Sequence, residues 1–369
     1  MRGNISIIGA GTAGLIAARE LGRSGIYAKV YDQKKVLGYP VRASGIVSIR
    51  GLASIGVDYG KAVTNTLYGA RIHAGKSVMR VKSSAPVAHV LERQMLNELC
   101  REQAAEAGAD ISLNERITPE RISEIKGEDG IMIGADGAVS TVAKHFRMGP
   151  LADHVITYKA EFEMDVKDTT SVDLFFDREY RGLFGWLCPN SDDRLEAGIG
   201  IMPGRMNAKQ AFDRFVRNDD IAGMVDGARM TNGQASIIPM RLRRRIVDEK
   251  NKVLLVGDAA GQVKPTTGGG IVFGGNGAII AARAIQGHLE RGRSLMEYDA
   301  SYKKRFSADT RMHSMINKLY TRSGTKGMDF GIRIMNAIGM ASLLGRYGDM
   351  DSPTKTMMNV FSGKQRVTE

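Results

Sequence analysis

Apolar residues open the chain almost without interruption from Asn4 to Ile8, which reads as a buried strand, and stop at a glycine. Thr12 to Ser24 follows as a helix with small residues on one face, then Ala28 to Tyr31 as a second strand, so the chain begins with a βαβ unit. From Val87 to Ala107, Leu91, Met95, Leu99 and Ala104 or Ala105 recur at helical spacing, which predicts one amphipathic helix. Ile131 to Ile133 is a short apolar strand ending in Gly134. Between Ile156 and Ile201 the period changes to two. YKAEFEM, SVDLFF and RLEAGIGI alternate and are broken by turn clusters at Asp177-Arg178 and Asn190 to Asp193. A mostly antiparallel sheet is expected there, completed by a helix over Asn207 to Val216 and a strand over Ala235 to Ile238. The strand Lys252 to Val256 resumes the opening pattern, and helices dominate from Gly270 to the end.

These elements predict an α/β fold: a doubly wound, Rossmann-like domain, an inserted antiparallel β-sheet domain and C-terminal helices. The expected boundaries are 1–150 with 246–290 for the discontinuous frame, 151–245 for the insertion and 291–369 for the helices. The net charge of +12 favours anionic partners. Its densest group, Arg241, Arg243, Arg244 and Arg245, reads first as a solvated edge and second as an anionic-lipid contact. Aromatics are 6% and are not interleaved with basic residues, which argues against nucleic acid. Cys100 and Cys188 lie far apart and the histidines lack ligand spacing, so neither a disulfide framework nor a metal is expected. The stretch Pro265 to Ala282 has no charge, but its Gly, Thr and Asn content suits burial inside the protein better than lipid. The opening residues do not read as a signal peptide. The expected location is cytoplasmic, with peripheral contact on the inner membrane face.

Three segments carry chemistry. Gly9-x-Gly11-x-x-Gly14 follows the first strand and opens the first helix, with Asp32 at the end of the second strand. That arrangement lets a backbone turn approach a pyrophosphate and sets a carboxylate against ribose hydroxyls. Gly9, Gly11, Thr12, Ala13, Gly14 and Asp32 are therefore the expected contacts. The second segment is Gly134-Ala135-Asp136-Gly137; taken alone it is an ordinary turn. In the third, a strand ends on Gly257-Asp258 and leads to Pro265-Thr266-Thr267-Gly268-Gly269-Gly270, where a carboxylate and a helix N-terminus can face one ligand.

Together these segments resemble the para-hydroxybenzoate hydroxylase superfamily of flavoproteins. The resemblance implies FAD as cofactor, Asp136 and Gly137 beside it, Asp258 on its ribityl chain, and Gly257, Pro265, Gly268, Gly269 and Gly270 around it. Backbone donors at that helix start would favour the charge of a reduced flavin. Within the superfamily the chain is most similar to geranylgeranyl reductases, which saturate isoprenoid double bonds on archaeal lipids or related prenyl chains. Gly38-Tyr39-Pro40-Val41-Arg42 resembles their G-x-P-V-R and puts Arg42 near the cofactor. Phe184-x-Trp186-x-Cys188-Pro189 resembles their substrate-side signature and marks Phe184, Trp186 and Pro189. Arg93 reads either as a polar FAD contact or as a solvated helix face. The chain departs from the reductase pattern at Ala43-Ser44-Gly45, where Cys-Gly-Glu is common, and at Cys188, where an aromatic is usual. No catalytic residue follows from the resemblance. Both NAD(P)H and a ferredoxin remain open as electron donors, and a monooxygenase acting on a small aromatic or polyketide-like substrate, or a non-enzymatic flavoprotein, remain the alternatives.

Overall fold

A computed structural model describes residues 4–41, 43–204 and 206–363. Its frame is a six-stranded sheet in the order Val247–Asp248, Val253–Leu255, Ile131–Gly134, Ile5–Ile8, Ala28–Tyr31 and Asp110–Ser112. All neighbours run parallel except the first pair. Three of the inner strands, Val253–Leu255, Ile131–Gly134 and Ile5–Ile8, are buried along their whole length. A parallel sheet covered on both faces demands such unbroken apolar runs. The helix Thr12–Arg23 packs against both Arg93–Glu106 and Ile271–Arg291. The last of these takes up the charge-free stretch from Ile271 on and buries Val272, Phe273 and Gly274. A β-carbon at Gly274 would stand 2.9 Å from the Gly257 Cα, so glycine there lets the helix lie directly on the turn that bears Asp258.

The second sheet has seven strands, in the order Arg229–Pro239, His154–Glu163, Arg194–Ile201, Gly182–Ser191, Ser171–Phe176, Gly69–Ala74 and Ser77–Lys82. It is therefore not confined to residues 151–245, because a hairpin from the first part of the chain joins its edge. That junction, Ser171–Phe176 beside Gly69–Ala74, is parallel. One sheet face packs Phe162, Leu187, Leu195 and Ile199 under the helix Ala208–Val216. This helix presents Ala208, Ala211, Phe212 and Phe215 at helical spacing and starts with a capping box between Asn207 and Gln210. The other face, with Val155, Val172, Phe184, Trp186 and Cys188, meets Leu67, Ala88 and Val90 of a three-stranded sheet.

That small sheet corrects the helix expected over Val87 to Ala107. Ala88–Leu91 is a strand paired with Ile46–Ser48 and Val63–Leu67. The helix starts only at Arg93, with the Glu92 side chain accepting from the Gln94 and Met95 amides. Leu91 fits the helical period by coincidence, and the partner strands that claim it lie some 25 to 45 residues upstream.

Helices occupy the C-terminal part. Glu297–Ala337 is kinked at Gly324, where φ is 62° and ψ 177°. Met340–Tyr347 and Pro353–Ser362 follow, and the latter buries none of its residues. The loop before it is tied back to the frame. Asp351 holds Lys264 Nζ at 2.6 Å and the Ser48 hydroxyl, while its carbonyl lies 3.2 Å from His313 Nε2.

Candidate functional site

The first strand ends at Gly9, whose φ of +107° disfavours side chains; a β-carbon would also stand 2.3 Å from the Ala135 carbonyl oxygen. One at Gly14 would stand 2.0 Å from the Gly9 oxygen. At Gly11 the same atom would meet nothing within 4 Å. Gly9 and Gly14 are thus required by packing, whereas Gly11 faces open space. The helix that starts at Thr12 has no side-chain cap and no acidic residue in its first turn. Its leading N–H groups and positive dipole end are left for an anion. Asp32 accepts from the Ala10 amide at 2.7 Å and the Lys34 amide at 2.8 Å, and so braces this loop.

The third segment meets the first: a β-carbon at Gly257 would be 2.9 Å from that of Ala13. Asp258 receives no hydrogen bond on its carboxylate from any described residue. Burial pushes this carboxyl up to about 6, with the Arg93 charge opposing. Its Oδ1 lies 2.9 Å from where a Gly270 β-carbon would be, so glycine there gives the carboxylate room. Gly268 takes a φ of +71°, and the helix from Ile271 also lacks a side-chain cap and a first-turn acid. Arg93 links the two segments. It donates to Thr12 Oγ1 at 3.3 Å, and Thr12 in turn donates to Asn97 at 2.9 Å. Arg93 Nη1 is buried with no hydrogen-bond partner among the described residues. A buried donor without an acceptor costs about 1–3 kcal/mol, more when charged. An orphaned guanidinium nitrogen, a carboxylate without donors, two uncapped helix starts and the space before Gly11 together fit a ligand with phosphates and hydroxyls.

Asp136 is differently placed. It accepts from Ser140 Oγ at 2.6 Å and from the Thr141 and Val142 amides at 2.6 and 3.1 Å, bracing the start of the helix Thr141–His145, which Ser140 caps. Burial raises its carboxyl and these bonds pull the other way. Gly137 has a φ of +83° and no neighbour within 4 Å of a β-carbon position. Pro265 is buried and its carbonyl accepts from Asn317 Nδ2 at 2.8 Å. Gly269 borders Lys264, whose Cε lies 2.8 Å from a β-carbon position there. Arg42 lies outside the described residues. Lys264, Asp351, Ser48 and Asn97 were not singled out from the sequence, because their partners are up to 303 residues away.

On the face of the large sheet that meets the three-stranded sheet, Phe184 and Trp186 pack edge to face with centroids 6.4 Å apart. The indole donates to Glu196 Oε1 at 2.9 Å, and Glu196 also holds Lys159 Nζ. The pair is buried, with side chains 4% and 1% exposed. A β-carbon at Gly198 would be 2.1 Å from the indole, so glycine there lets the ring lie against that strand. Pro189, an odd number of residues along the strand, is out of phase with both aromatics, and its carbonyl accepts from Asn65 Nδ2 at 2.7 Å. Burial raises the Cys188 thiol well above its ordinary value and the Cys100 thiol to about 11, which leaves both unreactive. The arginine run is not simply a solvated edge. Arg243 is buried, donating to the Ala259 carbonyl at 2.9 Å and to that of Gly149. Among the described residues no cluster could hold a metal.

Comparison with known proteins agrees with this geometry. The model of the family described as FAD binding domain matches residues 3–308. An uncharacterized protein of Methanocaldococcus jannaschii is 26% identical over 97% of this chain and 94% of its own length. Digeranylgeranylglycerophospholipid reductase 1 of Methanothermobacter thermautotrophicus is 28% identical, covering 80% of this chain and 81% of its own. Among solved structures, a geranylgeranyl bacteriochlorophyll reductase-like protein of Thermoplasma acidophilum superposes with a TM-score of 0.79 at 19% identity, covering 98% and 96% of the two chains. PqsL of Pseudomonas aeruginosa, a probable FAD-dependent monooxygenase, gives 0.67 at 15% identity over 90% of this chain and all of its own.

Proposed function

Since the chain belongs to the FAD binding domain family and is an FAD-dependent oxidoreductase, we propose that it reduces C=C bonds in the prenyl chains of isoprenoid lipids. The observation that carries this reading is the buried apolar, aromatic cluster between the large sheet and the three-stranded sheet, where Val155, Val172, Phe184 and Trp186 are at most 8% exposed and the nearby Lys159–Glu196 pair is internally matched. A polyprenyl tail offers no polar group to satisfy charges, so apolar side chains of this kind are what it needs around it. Sequence similarity to digeranylgeranylglycerophospholipid reductases supports the same substrate class.

In this reading Gly11, Thr12 and Ala13 bring backbone donors to the pyrophosphate, and Arg93 Nη1 finds there the acceptor it lacks. Asp32 takes ribose hydroxyls with its remaining lone pairs. Asp258 would accept from the ribityl hydroxyls, and the uncapped helix start after Gly268, Gly269 and Gly270 would favour negative charge on a bound flavin. The chemistry that FAD supplies when bound is two-electron transfer to the substrate. The protein's part would be to hold the ring and the alkene together and away from water. NAD(P)H and a reduced ferredoxin are the two donor classes to compare.

The test is mass spectrometry of digeranylgeranylglycerophospholipid incubated with dithionite-reduced protein under nitrogen. Products heavier by pairs of hydrogens are expected. Oxygen insertion in air on a small ring substrate, with no hydrogenation under nitrogen, would replace this reading by a monooxygenase.

A further inference from the structure

The helix Glu297–Ala337 turns Tyr298, Tyr302, Phe306 and His313 into the core. Its opposite side carries Arg311, Met315, Leu319 and Arg322 at steps of four, four and three residues, so they form one stripe. Met315 and Leu319 are 63% and 68% exposed. Beyond the Gly324 kink the pattern repeats with Lys326, Phe330, Ile334 and Ile338, the last three 64%, 46% and 60% exposed. Here too the inner side is occupied, by Ile332 against Ala74 and Met79. The helix Pro353–Ser362, which packs on the long helix, adds Met358 and Phe361. Single exposed apolar residues need no explanation, but rows of them at helical spacing mark a surface that is covered in use.

Charge says what covers it. Residues 311–346 contain six Lys and Arg against the single carboxylate of Asp329. Among the described residues Arg311, Lys318, Arg322 and Lys326 form no ion pair. A two-fold copy of the chain would set these cations against their own kind, which opposes association. An anionic bilayer satisfies both features at once. The apolar side chains enter the boundary of the acyl region, while the long cationic side chains reach back to the phosphates. We infer that the outer face of the C-terminal helices docks on a bilayer containing anionic phospholipid. It lies on that surface rather than spanning it, since no helix among the described residues is long and apolar enough to cross. The inference rests on this surface alone and is independent of the substrate proposed above.

The experiment is co-sedimentation of FAD-loaded protein with extruded vesicles of phosphatidylcholine, with or without phosphatidylglycerol. Binding to the anionic vesicles at low salt is expected, weakening as salt rises, with little binding to phosphatidylcholine alone. The double substitution Leu319→Ser/Ile334→Ser should lower the partition coefficient about tenfold or more. The pair Lys318→Gln/Arg322→Gln, which removes no packing, should lower it for anionic vesicles only. FAD content and thermal midpoint should stay unchanged in the charge pair, so the test stands even if the apolar variant misfolds. Failure of the parent to bind anionic vesicles overturns the inference, as does binding indifferent to salt and to the charge pair. A concentration-dependent dimer that Leu319→Ser/Ile334→Ser dissolves, without vesicle binding, overturns it in favour of a second copy.

Discussion

Asp258→Asn exchanges one carboxylate oxygen for an amide at the turn after Val253–Leu255, and two effects of opposite sign should follow. In the apoprotein, burial lifts the carboxyl from 3.8 to about 6 despite the opposing charge of Arg93. A carboxyl that ionises less readily folded than unfolded destabilises the folded state wherever the unfolded chain is ionised. The gap between 3.8 and about 6 converts to about 3 kcal/mol. That penalty is absent below the unfolded value, grows as pH rises from 3.8 to about 6, and is complete above. The Asn variant, being neutral throughout, should make the apoprotein more stable near neutral pH by up to about 3 kcal/mol and confer no gain at or below about pH 4. Cofactor binding should move the other way. Losing hydrogen bonds to a charged acceptor costs about 1.5–3 kcal/mol, a Kd for FAD weaker by about 10- to 150-fold. Urea unfolding of both apoproteins across this pH range gives the first quantity, and quenching of FAD fluorescence gives the second. An Asn apoprotein less stable than the parent at neutral pH, or a Kd within about twofold, would refute the assignment of Asp258 as an unsatisfied acceptor awaiting hydroxyl donors.

Gly11→Ala should leave the urea midpoint of the apoprotein nearly unchanged, since its β-carbon meets nothing within 4 Å, yet lower FAD occupancy after purification. Gly14→Ala should instead destabilise the fold itself, because its β-carbon would stand 2.0 Å from the Gly9 oxygen; equal behaviour of the two variants would contradict this division of roles. Asp136→Ala removes the acceptor of the Ser140 hydroxyl and the Thr141 and Val142 amides at a helix start and should lower stability by about 1–2 kcal/mol while weakening FAD binding far less than Asp258→Ala, which paired titrations would check. Glu196→Gln strands the buried Lys159 and should cost about 3–5 kcal/mol, whereas Lys159→Met/Glu196→Gln together should cost less than that single change. The fluorescence of Trp186, the chain's one tryptophan, reports on the same site through its bond to Glu196.

The parts of the fold legible in the sequence are those whose cause is local. The βαβ opening could be read because a buried parallel strand must be apolar throughout and the turn after it needs glycine at 9 and 14, where a β-carbon would collide with backbone. The helix Ala208–Val216 and the alternation of His154–Glu163 and Arg194–Ile201 were likewise visible, since each element carries its own period. The burial of the charge-free stretch followed from its glycines, one of which lies against Gly257. What the sequence could not disclose depends on partners distant along the chain. Ala88–Leu91 is a strand only because Ile46–Ser48 and Val63–Leu67 come to flank it. The hairpin Gly69–Lys82 joined the far sheet through Ser171–Phe176, a pairing that no local period records. In the site, the glycine and aspartate motifs named the loops, but tertiary contacts distinguished two similar carboxylates. Asp136 turned inward to brace the helix start that follows it, while Asp258 was left without donors beside a buried arginine nitrogen that also lacks a hydrogen-bond partner among the described residues. Periodicity reports which residues leave water; which polar groups remain unmatched is decided only when the whole chain has closed around them.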